Sequence, residues 1–69
     1  MYPNELKAAF TYHPPKEGQP ETYTELRESA RAFAEKVQSL APECREKEIA
    51  LEKIREAVMW ANAGIAIHG

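Results

Sequence analysis

Two runs of apolar residues at helical spacing, separated by a proline break, constrain this chain more than any other feature. Tyr23, Leu26, Ala30, Phe33, Val37 and Leu40 follow one another at steps of 3, 4, 3, 4 and 3, the spacing of one stripe on an α-helix. Leu51, Ile54, Val58, Ala61 and Ile65 repeat at 3, 4, 3 and 4. Between them lie Ala41, Pro42 and Glu43, where Pro42 ends one helical ladder and precedes or opens the next. A break this short between two long helices makes them antiparallel. The expectation is an all-α chain: an antiparallel helical hairpin with a short N-terminal helix.

The hairpin is expected at residues 22–40 and 44–66. Thr22 and Glu25 fit a capping box at the start of the first helix, and its opposite face carries Glu25, Arg31, Glu35 and Gln38. Cys44 stands where the second helix needs an N-cap, a place serine fills better by about 1 kcal/mol. Residues 1–21 hold a short helix from Pro3 to Phe10, with Asn4 as its cap and Leu6 and Phe10 on one face. The stiff loop HPPKEGQP follows. The 69 residues form a single domain.

A chain of this size buries only roughly 60% of the surface its unfolded form exposes, so it needs help. Cys44 is the only cysteine, which removes an internal disulfide, and His13 and His68 lie at opposite ends with no cysteine pair between them, so no metal is expected. The segment AVMWANAGIAI at 57–67 is apolar nearly all round, with Met59, Trp60 and Ile67 directed away from the Leu51–Ile65 stripe. A helix of that kind is a buried one, and Ala61, Ala63, Gly64 and Ala66 admit close approach of another backbone. The chain is therefore expected to assemble with copies of itself. The alternative is that the N-terminal segment folds back over this surface.

A net charge of −2 opposes binding to DNA or RNA polymers, although one anionic pocket needs only one or two cations. The apolar run is too short and mixed for a membrane span, and the start MYPNELKAAF is unlike a signal peptide, so a cytosolic setting is expected. No catalytic constellation stands out: Ser29 and Ser39 lie in helices without a nucleophile-elbow context. The stretch FTYHPPKEGQPETY instead gathers Tyr12, His13, Lys16, Gln19 and Tyr23, with Arg27 one turn later. Tyrosine offers a face to a nucleobase, and lysine, histidine and arginine meet phosphate. The competing view is that Tyr12 and Tyr23 pack on the core while Lys16 and Arg27 are solvated.

Two segments, F-T-Y-H-P-P at 10–15 and A-V-M-W-A-N-A-G-I-A at 57–66, together with Pro42 and Cys-Arg-Glu-Lys at 44–47, resemble the phage anti-CBASS family of cyclic-oligonucleotide sponges. Its hairpin domain is shared with anti-Thoeris sponges. The resemblance implies a non-enzymatic protein of the infected host's cytoplasm that needs no cofactor. It implies dimers of hairpins, assembled further into hexamers, that sequester cyclic dinucleotides such as 3′,3′-cyclic GMP–AMP, and in some members trinucleotides, between subunits. On the family pattern Tyr12 matches the aromatic that stacks on a base, and Arg27, in Tyr-Thr-Glu-Leu-Arg, matches a basic position that meets phosphate. His13 and Ser29 are polar lining by proximity, and Lys16 is a further cation. Where the family often has arginine, this chain has Ile67, followed by His68 as a weaker substitute, which puts a trinucleotide site in question. Asn62 is expected to be structural. A protein-binding helical module, a sponge for a cyclic ADP-ribose signal and a small phosphodiesterase are the other readings.

Overall fold

Proline opens the first two helices of this chain and precedes the third. In the computed structural model, which describes residues 1–69, α1 is Pro3–Ala9, α2 is Gln19–Leu40 and α3 is Arg45–His68. Pro3 sits in the first turn of α1, where a missing N–H costs nothing, with Glu5 near its positive end and Lys7 near its negative end. Asn4 is not its cap; Tyr2 holds the N-cap position without a side-chain bond.

Helix α2 begins at Gln19, three residues before the expected start. The chain turns through Gly18 at φ +82°, a left-handed conformation that favours glycine, and Pro20 lies in the first turn. Thr22 and Glu25 therefore fall inside the helix and form no capping box. The Thr22 hydroxyl donates to Gly18 O at 3.1 Å. Cys44 does cap α3, its Sγ accepting from Lys47 N at 3.4 Å. Helix α3 continues to His68, two residues beyond the expected end.

Helices α2 and α3 pack on each other as the hairpin. From α3, Leu51, Ile54, Val58, Ala61 and Ile65 are all half-buried, as expected. From α2, the half-buried line is Tyr23, Leu26, Ala30, Ala34, Val37 and Ala41. Phe33 and Leu40 are not on it; they stand on the flank, 57% and 82% exposed. Small alanines at 34 and 41 let the helices approach, and the bulkier neighbours turn outward.

Two polar side chains fasten the ends of the hairpin, and they are the only buried residues. At the turn, Lys47 Nζ donates to Gln38 O and to Glu43 Oε1, both at 2.6 Å. Gln38 O is one of the last carbonyls of α2, which have no partner within the helix. At the open end, Gln19 accepts from Lys16 N at 2.8 Å and donates through Nε2 to Ile65 O at 3.2 Å. That bond ties the proline-rich loop to the end of α3.

No apolar side chain is buried. The chain measures 43 × 29 × 12 Å, so it is one helix thick. Its radius of gyration is 15.1 Å, against about 11 Å for a compact chain of this length. The accessible surface is 5853 Å², roughly 1,400 Å² more than the ~4,400 Å² expected of a compact monomer of its mass. Met59 and Trp60 stay exposed. Helix α1 reaches only the tip of α3, where Asn4, Glu5 and Ala8 border a cleft with Ile67 and His68. The N-terminal segment thus covers only the tip of the apolar end of α3, at half-buried Ile67, and leaves Met59 and Trp60 open. No helix is long and apolar enough to cross a membrane.

Candidate ligand-binding site

Tyr12 stands on the loop between α1 and α2, its ring 80% exposed. The loop that holds it is braced from both sides. The Thr11 hydroxyl donates to Lys7 O, and His13 Nε2 donates to Ala8 O at 2.7 Å. His13 is thus half-buried and spends one ring nitrogen on the turn, while Tyr12 beside it is presented outward. Tyr23 is half-buried against the hairpin, so the two tyrosines of this segment part company. Lys16 is directed to the chain end, its ammonium donating to Gly69 O.

Arg27 lies eight residues into α2, about 12 Å along the axis from Gln19. Its only side-chain contact is a long one, from Nη2 to the Thr24 hydroxyl at 3.4 Å, and it has no carboxylate partner. Ser29, two residues on, is turned by roughly 160° from Arg27 around the helix and falls on the opposite flank. His68 is at the tip of α3, facing α1. Within one protomer, then, the residues anticipated from sequence do not converge. Tyr12, His13, Lys16 and His68 sit toward the open end of the hairpin, Arg27 sits further down one flank, and Ser29 is on the other.

The structure adds residues that sequence reasoning passed over. Arg27 borders a groove of about 300 Å³ between α2 and α3, and Arg31 and Arg55 border it too. Arg31 belongs to the flank and not to the face opposite the hairpin interface, although its guanidinium also bonds Glu35 at 3.0 Å. A second, wider surface of about 620 Å³ runs along the outer side of α3, over Met59, Trp60 and Ala63, with Glu52, Arg55 and Glu56 at its edge. There the Lys53 ammonium, 3.2 Å away, holds the Glu56 carboxyl below its ordinary pKa, first through its hydrogen bond and then through its charge; a bond from the Trp60 indole adds to this. Asn62 Oδ1 is enclosed without a hydrogen-bond partner, so the structure gives its amide oxygen no anchor. No group of three or more histidine, cysteine or acidic side chains comes together at metal-binding distance.

These surfaces have the chemistry of capture: a presented aromatic face, guanidinium groups without a full set of carboxylates, and apolar ground beside them. The family described as Acb2/Tad1, hairpin domain, matches residues 3–66, nearly the whole chain. No curated protein and no solved structure matches it.

Proposed function

The chain belongs to the Acb2/Tad1 hairpin family of anti-CBASS and anti-Thoeris sponges, and from that premise we propose that it sequesters cyclic dinucleotides such as 3′,3′-cyclic GMP–AMP. It holds the messenger without cleaving it, in the cytoplasm of an infected bacterium, so that the defence effector is starved of its signal. The family match carries this reading. Its role is one of binding, and the exposed Tyr12 ring and the unpaired Arg27 guanidinium are the groups such a ligand calls for.

The binding unit in this proposal is an assembly, a dimer of hairpins built up to a hexamer. An 80% exposed tyrosine has nothing in its own protomer to close a stacked base from the other side. The excess surface of roughly 1,400 Å² is ample for an interface that buries about 800 Å² per partner. A Cβ placed on Gly64 would meet nothing within 4 Å, which leaves room there for the backbone of a second copy. In a two-fold arrangement Tyr12 and Arg27 occur twice, one set for each half of a cyclic dinucleotide. Two arginines facing two phosphates explain how a chain of net charge −2 binds an anion. His13, Lys16 and Ser29 are assigned to the polar lining, and His68 to the tip of α3, where Ile67 replaces a cation and makes a trinucleotide the weaker ligand.

Exposure of Met59 and Trp60 favours a second reading, a helical module that docks on another protein. A sponge for a cyclic ADP-ribose signal is the alternative within the family. One experiment separates these. The purified chain is titrated with 3′,3′-cyclic GMP–AMP in a calorimeter, and the complex is then heat-denatured and the nucleotide recovered. Tight binding with intact nucleotide returned is the expected result. A cleaved product would make the protein an enzyme. Binding of cyclic ADP-ribose isomers alone would move it to the other defence system, and binding of neither would leave the docking module.

A further inference from the structure

Three of the chain's four arginines, Arg27, Arg31 and Arg55, border one groove between α2 and α3, and none of its 11 acidic residues does. In a chain with more acids than bases, this segregation concentrates positive charge where the net charge gives no hint of it. The floor between the arginines is apolar and includes Leu51, Ile54 and Val58.

The carboxylates that these arginines meet are not across the groove. Glu35 pairs with Arg31 from one turn along the same helix at 3.0 Å, and Glu52 stands 3.9 Å from Arg55, also on its own helix. Arg27 has only the Thr24 hydroxyl. Arg31 and Arg55 come from different helices and border one groove, 70% and 76% exposed, so both guanidinium groups are open to an anion there. The register that sets them opposite is fixed at both ends of the hairpin, by Lys47 on Gln38 O and by Gln19 on Ile65 O.

We propose that Arg31 and Arg55 form a phosphate clamp across the hairpin, with Arg27 as its third arm, and that the groove takes a phosphodiester whose sugar or base lies on the apolar floor. Guanidinium forks suit phosphate because each can donate two parallel hydrogen bonds, and a phosphate has acceptors facing every arm. The clamp is a site for two residues, Arg31 and Arg55, that the Tyr12 and Arg27 assignment leaves idle. That its ligand is a cyclic dinucleotide rests on the proposed function; that it takes phosphate does not.

The test follows the arginine Nε–H signals of the ¹⁵N-labelled full chain by NMR, first with pyrophosphate and then with 3′,3′-cyclic GMP–AMP. Arg45, at the start of α3 and away from the groove, is the internal reference. The expected result is that Arg27, Arg31 and Arg55 move together and saturate while Arg45 does not. R55Q is expected to weaken both probes at least tenfold with an unchanged melting temperature, and R55K to restore part of the loss. Shifts no larger than those of Arg45 would mean an adventitious ion only and would overturn the clamp. Saturation by the cyclic dinucleotide with Arg31 and Arg55 unmoved would overturn the clamp and leave the sponge standing. A pyrophosphate response at all three arginines with no cyclic dinucleotide bound would support the clamp and remove the sponge. If R55Q dissolves the assembly and leaves phosphate binding intact, the groove holds a carboxylate of another protomer and the clamp is wrong.

Discussion

Replacing Lys47 by methionine separates two bonds that look alike in length. Lys47 Nζ lies 2.6 Å from Gln38 O and 2.6 Å from Glu43 Oε1, and its side chain is 4% exposed. The Glu43 side chain is 81% exposed, so its carboxylate is rehydrated when the ammonium leaves, and that contact is worth at most about 1 kcal/mol. Gln38 O is different. It is an orphan carbonyl at the end of α2, facing a covered ammonium, and a charge-assisted bond of this kind is worth about 1.5–3 kcal/mol. Methionine keeps the length and apolar stem of lysine, so packing is largely preserved. K47M should therefore cost about 2 kcal/mol, which at this chain length lowers the melting temperature by roughly 8–16 °C. E43Q should cost under about 1 kcal/mol. Circular-dichroism melts at one fixed chain concentration measure both, because the proposed assembly would make the midpoint concentration-dependent. Equal losses in K47M and E43Q, or a K47M loss below about 0.5 kcal/mol, would refute the view that the Gln38 carbonyl dominates.

Other expectations concern the ligand and the assembly. Tyr12→Ala should lose about 1–3 kcal/mol of binding for each stacked base, read by calorimetry, and leave the melting curve of the free protein unchanged. Arg27→Ala should weaken cyclic-dinucleotide binding severely while sedimentation shows the same assembly; unchanged affinity would remove Arg27 from the site. Trp60→Glu places a charge on a ring that is 72% exposed in the protomer. If that ring lies between copies, the variant should lose about 2–4 kcal/mol of association and sediment as smaller species. The same distribution of species as the parent would place the interface elsewhere.

The hairpin is legible because all five residues of the apolar spacing of α3, Leu51, Ile54, Val58, Ala61 and Ile65, are half-buried against α2. The spacing of α2 misled at Phe33 and Leu40. A strict seven-residue pattern drifts by about 20° per heptad around a helix of 3.6 residues per turn, and the true contact line passes through Ala34 and Ala41, which carry too little apolar weight to compete with their larger neighbours. The start of α2 lies before the expected Thr22 because Pro20 opens the helix instead of ending the loop, and Thr22–Glu25 carries a rival capping signal. Gln19 and Lys47 could not be found from type, since glutamine and lysine ordinarily lie outside; their burial follows from carbonyls that only the folded hairpin brings near. Arg31 stays 70% exposed, as its outward place on the helical wheel implies, and still reaches the rim of the groove, which a one-helix wheel does not show.

The protomer's thickness of 12 Å has a consequence for when it can act. A plate one helix deep half-buries its apolar lines and fully buries none, so in the proposed assembly the rest of the apolar contact would come from neighbours. Under that proposal its folding and its usefulness as a trap would rise together with a power of chain concentration higher than one. Early in synthesis, dilute chains would hold little messenger; past a threshold, each added chain would complete sites begun by others. A protein of that kind would respond to abundance as a switch, and doubling its production near the threshold would change captured messenger by far more than twofold.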